Sequence, residues 1–174
     1  LCDEGRFNYR NTQNQKRIVV PKSINSEKTL IETHWHEAVS FFQKTIHQTP
    51  VSLLVGSDLT QEELTSIIGW SKEQDLENEI LHFGTPNVNT TAQDGPEDNI
   101  LRMLSKTSNL NGVEKLGIAP FVGKIKNETV IIFSGGRAQL PALKAKKMMG
   151  VGVFIQDEVN SFDLILPGLA FTEK

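Results

Sequence analysis

The strongest constraint on how this chain folds is an alternation. From residue 36 onward, short uninterrupted apolar runs take turns with stretches whose apolar residues recur at helical spacing. The runs are VSLLVGSD (51–58), EILHF (79–83), ETVIIFSGG (128–136), VGVFIQ (151–156) and FDLILP (162–167). A strand with one wet face alternates polar and apolar residues. A continuous β-branched run signals a strand covered on both faces, as in parallel sheets. Parallel neighbours need a crossover, usually a helix. The pattern therefore predicts an α/β fold: a doubly wound, mainly parallel, Rossmann-like sheet with helices on both faces.

The intervening segments carry their own start and stop signals. In THWHEAVSFFQKTIHQTP (33–50), Trp35, Ala38, Val39, Phe42 and Ile46 fall on one stripe, with Thr33 or His34 as cap and Pro50 as the stop. LTQEELTSIIGWSKEQ (59–74) places Thr60 three residues before Glu63, a capping box, and turns Leu64, Ile67, Ile68 and Ser71 inward. Residues 84–98 read as the longest loop, followed by short helices at about 97–105 and about 110–116, the second closed by Gly117. LPALKAKKMMG (140–150) is expected to be helical, with Pro141 in its first turn and Gly150 just past its end. Ahead of the alternation, Arg17–Val20 and Thr29–Glu32 read as a small N-terminal β-hairpin. The chain divides at this level into an N-terminal segment, 1–33, and an α/β domain, 34–174.

Composition narrows the function classes. At 174 residues with 38% apolar and 22% charged side chains, the chain suits one globular domain. A net charge of −3 gives no basic surface for nucleic acid. No apolar run approaches the roughly 20 residues that span a bilayer, so direct membrane insertion is not expected. The single cysteine, Cys2, excludes an internal disulfide and fits a reducing compartment. No secretory signal opens the chain, and the missing initiator methionine suggests a piece of a longer polypeptide.

In open α/β sheets ligands sit at the carboxyl ends of the strands. Here those ends carry Gly56–Ser57–Asp58, Gly84–Thr85, Ser134–Gly135–Gly136–Arg137 and Gln156–Asp157. Gly135 and Gly136 would let backbone approach a phosphate, with Arg137 for charge; the plainer reading is a turn that uses glycine for its conformational freedom. Neither a G-x-G-x-x-G fingerprint nor a Walker sequence is present, so the plainer reading is preferred. His34-Trp35-His36 lacks further ligands at metal spacing, and Ser57 and Ser134 lack a nucleophile elbow. Arg137, Lys144, Lys146 and Lys147 form a small basic face, read as solvated. Residues alone thus give a scaffold without a catalytic constellation.

Four stretches, in order, add a resemblance. LCDEGRFNYR (1–10) resembles the segment carrying the last cysteine of an N-terminal iron–sulfur site in the molybdopterin oxidoreductase superfamily. HWHEAVSFFQKTI (34–46) is similar to that family's W-x-x-A helix, and NLNGVEKLGIAP (109–120) to its N-x-x-G-x-x-x-x-G-x-x-P stretch. FDLILPGLAFTEK (162–174) resembles its A-D-V-V-L-P … E-K segment. The branch most alike is the large electron-transferring, iron–sulfur subunit of bacterial NADH–quinone oxidoreductase (NADH dehydrogenase, complex I of the respiratory chain), whose C-terminal part is molybdopterin oxidoreductase-like.

The resemblance implies that Cys2 is a metal ligand of a [4Fe-4S] cluster whose other cysteines precede Leu1, and that residues 1–174 by themselves hold no cofactor. It implies a non-catalytic structural or assembly domain, with electron transfer through iron–sulfur clusters upstream. Its partners would be the other subunits of a membrane-associated respiratory complex, on the cytoplasmic side and peripheral to the inner membrane. Catalytic members of the superfamily run several hundred residues between the opening and closing motifs, so much of the pterin-cradling structure has no counterpart here. The alternative is the guanine-dinucleotide-binding part of a formate dehydrogenase-like, molybdopterin-dependent enzyme. In that case Gly56, Ser57, Gly135, Gly136 and Asp157 would face the cofactor.

Overall fold

A computed structural model describes residues 17–76, 79–84, 109–136, 140–153 and 162–169. The elements run β1 (Lys22–Ile24), β2 (Leu30–Glu32), α1 (Trp35–Gln48), β3 (Val51–Gly56), α2 (Gln61–Glu73), β4 (Ile80–Phe83), α3 (Leu110–Lys115), β5 (Ala119–Pro120), β6 (Thr129–Ser134), β7 (Lys147–Gly152) and β8 (Leu164–Pro167). Among the described residues the eight strands form one sheet in the order β2-β1-β8-β7-β6-β3-β4-β5. From β8 to β5 every pairing is parallel. The parallel winding begins at central β3, runs outward to β5, returns to β6 beside β3 and proceeds the other way to β8. This is the doubly wound order of dinucleotide-binding sheets, as the alternation predicted.

The apolar runs are buried because each strand feeds two cores. Val51 and Leu53 of β3, Ile131 of β6, Met149 of β7 and Leu164 of β8 pack against Ala38 and Ile46 of α1 and Trp70 of α2. Their neighbours Leu54, Val130, Ile132, Met148 and Ile165 face the other way, onto Phe162 and the segments around Phe121 and Leu143. Val55 continues the first face into a third cluster with Leu59, Leu64 and Val113, which seats α3 beside α2. Trp70 bridges Phe42 and Phe133 through ring contacts at centroid distances of 6.0 and 6.2 Å.

Four local expectations are corrected. First, 140–150 is not a helix: residues 140–146 run without regular structure and Lys147–Gly152 is strand β7, paired on both sides. The side chains of Met148 and Met149 enter opposite cores, a period of two that a helix cannot give. Second, among the described residues the three helices lie on one face of the sheet, and irregular chain covers the other. Third, the first hairpin strand is Lys22–Ile24, not Arg17–Val20; Ser23 pairs Ile31 in β2 and Leu164 in β8, and Val19 is left exposed. Asn25 makes the turn, its side-chain oxygen accepting the Glu27 and Thr29 N–H groups at 3.0 and 2.9 Å. Fourth, the inner face of α1 is Ala38, Phe42, Thr45 and Ile46, while Trp35 and Val39 are 53% and 41% exposed. The helix expected near 97–105 lies outside the described residues. None of the described helices is long and apolar enough to cross a membrane.

Candidate functional site

The strand order places a topological switch point between β3 and β6, whose outgoing connections diverge. Ligands of doubly wound sheets enter this crevice. The turn Gly56–Ser57–Asp58 lies on one side of it and Ser134–Gly135–Gly136 on the other, so the fold brings together five of the glycine and serine positions singled out in the sequence. Asp157, Arg137, Thr85 and Cys2 lie outside the described residues.

The groups at this crevice bond to one another. The Gly135 N–H donates to the Asp58 carboxylate at 3.2 Å, and the Gly136 N–H donates to the Ser134 hydroxyl at 3.1 Å. A Cβ on Gly135 would stand 3.0 Å from the Asp58 carboxyl carbon, so glycine is needed for this close approach. Gly136 takes the left-handed conformation, φ 92°, that its turn requires. Ser57 is fully buried: its N–H donates to the Phe83 carbonyl at 2.9 Å and its hydroxyl to the Gly84 carbonyl at 3.1 Å. The carbonyls of Ser57 and Leu59 accept the N–H and the side-chain amide of Asn109, at 3.0 and 2.9 Å.

This last contact accounts for the N-x-x-G-x-x-x-x-G-x-x-P stretch in structural terms. Asn109 anchors the turn after β3. A Cβ on Gly112 would collide with the Asn109 and Gln61 side chains, so its absence lets α3 sit against the start of α2. Gly117 leaves α3 at φ 72°, and Pro120 lies in β5 beside His82.

In dinucleotide-binding sheets the phosphate rests on the N-terminus of the helix after the first strand of the winding. Here that helix is α2, and its start is closed. The Thr60 hydroxyl accepts the Glu63 N–H at 3.3 Å, and the Glu63 carboxylate accepts the Thr60 N–H at 2.8 Å. Glu62 adds a second carboxylate to the first turn. With Asp58, three acidic side chains stand where a phosphate would go. A cavity of about 340 Å³ lies over these strand ends, walled by Leu59, Ile67, Phe133 and Val151 and bordered by Glu62 and Glu63. Among the described residues the Ser57, Gly135 and Gly136 N–H groups are bonded internally and carboxylates border the crevice, which counts against a dinucleotide phosphate there.

Sequence reasoning named Asp58 as a strand-end residue and Asn109 as the first residue of a motif, without giving either a task. The signal for Asp58 was an acid following a strand-end glycine. Its partner, Gly135, is 77 positions away. The histidines serve no common centre. His34 is the N-cap of α1 without a side-chain bond, and His34, His36 and His47 are exposed. His82 is buried on β4 with Nδ1 unpartnered, and burial holds its imidazole below the ordinary value, partly offset by the Glu114 carboxylate. Among the described residues, no three His, Cys, Asp or Glu side chains group so as to hold a metal ion. Searches against protein-family models, curated proteins and solved structures found no match.

Proposed function

We propose that this chain is a non-catalytic structural domain of the large electron-transferring subunit of NADH–quinone oxidoreductase, the role that its resemblance to that branch implies. Its neighbours are other subunits of the membrane-associated complex, and electrons pass through iron–sulfur clusters held upstream, Cys2 serving one of them. The observation that carries the scaffold reading is the contact between Asp58 and Gly135. An internal carboxylate takes the backbone donor that a cofactor phosphate would need, and it ties the two halves of the doubly wound sheet together at their junction. A domain retained for shape rather than chemistry has use for such a tie.

The alternative, a molybdopterin guanine dinucleotide enzyme, needs Gly56, Ser57, Gly135 and Gly136 to face a ligand. The internal bonds of Ser57, Gly135 and Gly136 count against it. The test is to delete residues 17–174 from the native subunit, then measure the amount of assembled complex and NADH oxidation per assembled complex. The reading expects assembly to fall while turnover in the surviving complexes is kept. Full assembly after deletion would overturn it. So would near-stoichiometric molybdenum or tungsten in the purified full-length protein.

A further inference from the structure

The face of the sheet away from the helices holds a second concavity, of about 690 Å³, within the range of small-molecule sites. It is separate from the switch point and independent of the scaffold reading. Its floor is Ile132 of β6 and Met148 of β7, both buried. Phe121, Ile125, Leu140, Leu143 and Phe162 line the rest of it. A helix would ordinarily cover these strands, and the irregular run 140–146 that takes its place lines a groove instead of filling it.

The charge of the rim is one-sided. Among the described residues the only ionisable groups lining the cavity are Lys124 and Lys144, and both are exposed. Among the same residues neither makes an ion pair; the salt bridge of this region, Lys146 to Glu128 at 3.3 Å, uses a different lysine. An apolar trough of this size bordered by two lysines is complementary to a molecule with an apolar body and a single anionic head. A cationic amphiphile would meet repulsion from both lysines, and a small inorganic anion would leave the apolar floor unfilled.

We propose that this groove binds a medium-chain carboxylate, the chain lying on Ile132 and Met148 and the carboxylate held by Lys124 and Lys144. The two neighbouring methionines supply a built-in readout. Met148 lies on the floor of the groove, whereas Met149 points into the core under the helices.

The test uses the full chain with carbon-13 methionine methyl groups, titrated with octanoate and separately with octylamine. The expected result is a saturable shift of the Met148 methyl with octanoate and no shift at Met149. Octylamine, of equal chain length, should bind at least about tenfold more weakly. The double charge reversal Lys124→Glu, Lys144→Glu lies on the surface, so the fold should survive. It should weaken octanoate about tenfold and favour the amine. Three results overturn the proposal: no Met148 shift, equal affinity for acid and amine, or equal shifts at both methionines.

Discussion

Gly150 gives the sharpest test of how the sheet is packed. A sequence reading that makes it the glycine after a helix predicts a penalty for any side chain through backbone strain. In the structure it sits within β7, between Ile132 of β6 and Ile165 of β8, and its φ is not in the left-handed region. What forbids a side chain is Phe162: a Cβ at Gly150 would stand 2.8 Å from ring atom Cε1 and 3.1 Å from Cδ1. Phe162 is 5% exposed and packed among Leu54, Val130 and Ile132, and the groove it walls is the side toward which the ring can yield. Overpacking of this kind costs about 1–3 kcal/mol. Removing a glycine from the unfolded chain offsets about 0.4–1 kcal/mol of that. Gly150→Ala should therefore destabilise by about 1–2 kcal/mol, lowering Tm by roughly 3–6 °C for a chain of this size. Phe162→Leu alone should also destabilise, by opening space in the core. Combined with Gly150→Ala it should cost less than the sum, with a coupling of about 0.5–2 kcal/mol in urea titrations. Strict additivity, or a Gly150→Ala variant as stable as the parent, would refute the steric account.

Two further outcomes follow from local contacts. Thr60→Ala breaks the capping box that closes α2 and should cost about 1 kcal/mol by urea denaturation, with Glu63→Ala adding little on top; full additivity would show that the two bonds act separately. Because burial depresses the His82 imidazole, the unfolded chain takes up a proton below about pH 6.5 that the folded chain refuses. Stability should therefore fall as pH drops through that value toward the folded pKa. His82→Gln should lose less stability between pH 7.5 and 5.5 than the parent; equal losses would place the pH sensitivity elsewhere.

Much of the fold was legible because local pattern and tertiary demand agree. Runs such as VSLLV and TVIIF are apolar at both parities, and each parity found its own core. Thr60, Glu63 and Gly117 act within a few residues of themselves, so their capping tasks could be read directly. The errors fell where the two demands diverge. Leu140–Gly150 is rich in good helix formers and carries Pro and Gly in helical positions, yet the gap between β6 and β8 had to be filled by a strand. Pairing along both edges of Lys147–Gly152 outweighs a propensity of a few tenths of a kcal/mol per residue. In α1 the apolar residues span more of the helix than one sheet can cover, and packing against Ile131 and Leu164 decided that Trp35 and Val39 would be left out.

The candidate site divides in the same way. Composition and periodicity were enough to place glycine and serine at the strand ends, because a parallel sheet requires turns there. They did not reveal whether those ends present donors to a ligand or spend them internally. That depends on groups far apart in sequence: Asp58 reaching Gly135, the Asn109 backbone and side chain reaching Ser57 and Leu59, and Lys124 and Lys144 bordering one groove floored by β6 and β7. Periodicity is written in neighbours within a few positions and survives without a fold. The closing of the crevice and the charge on the groove exist only once the strand order has brought distant turns to the same edge.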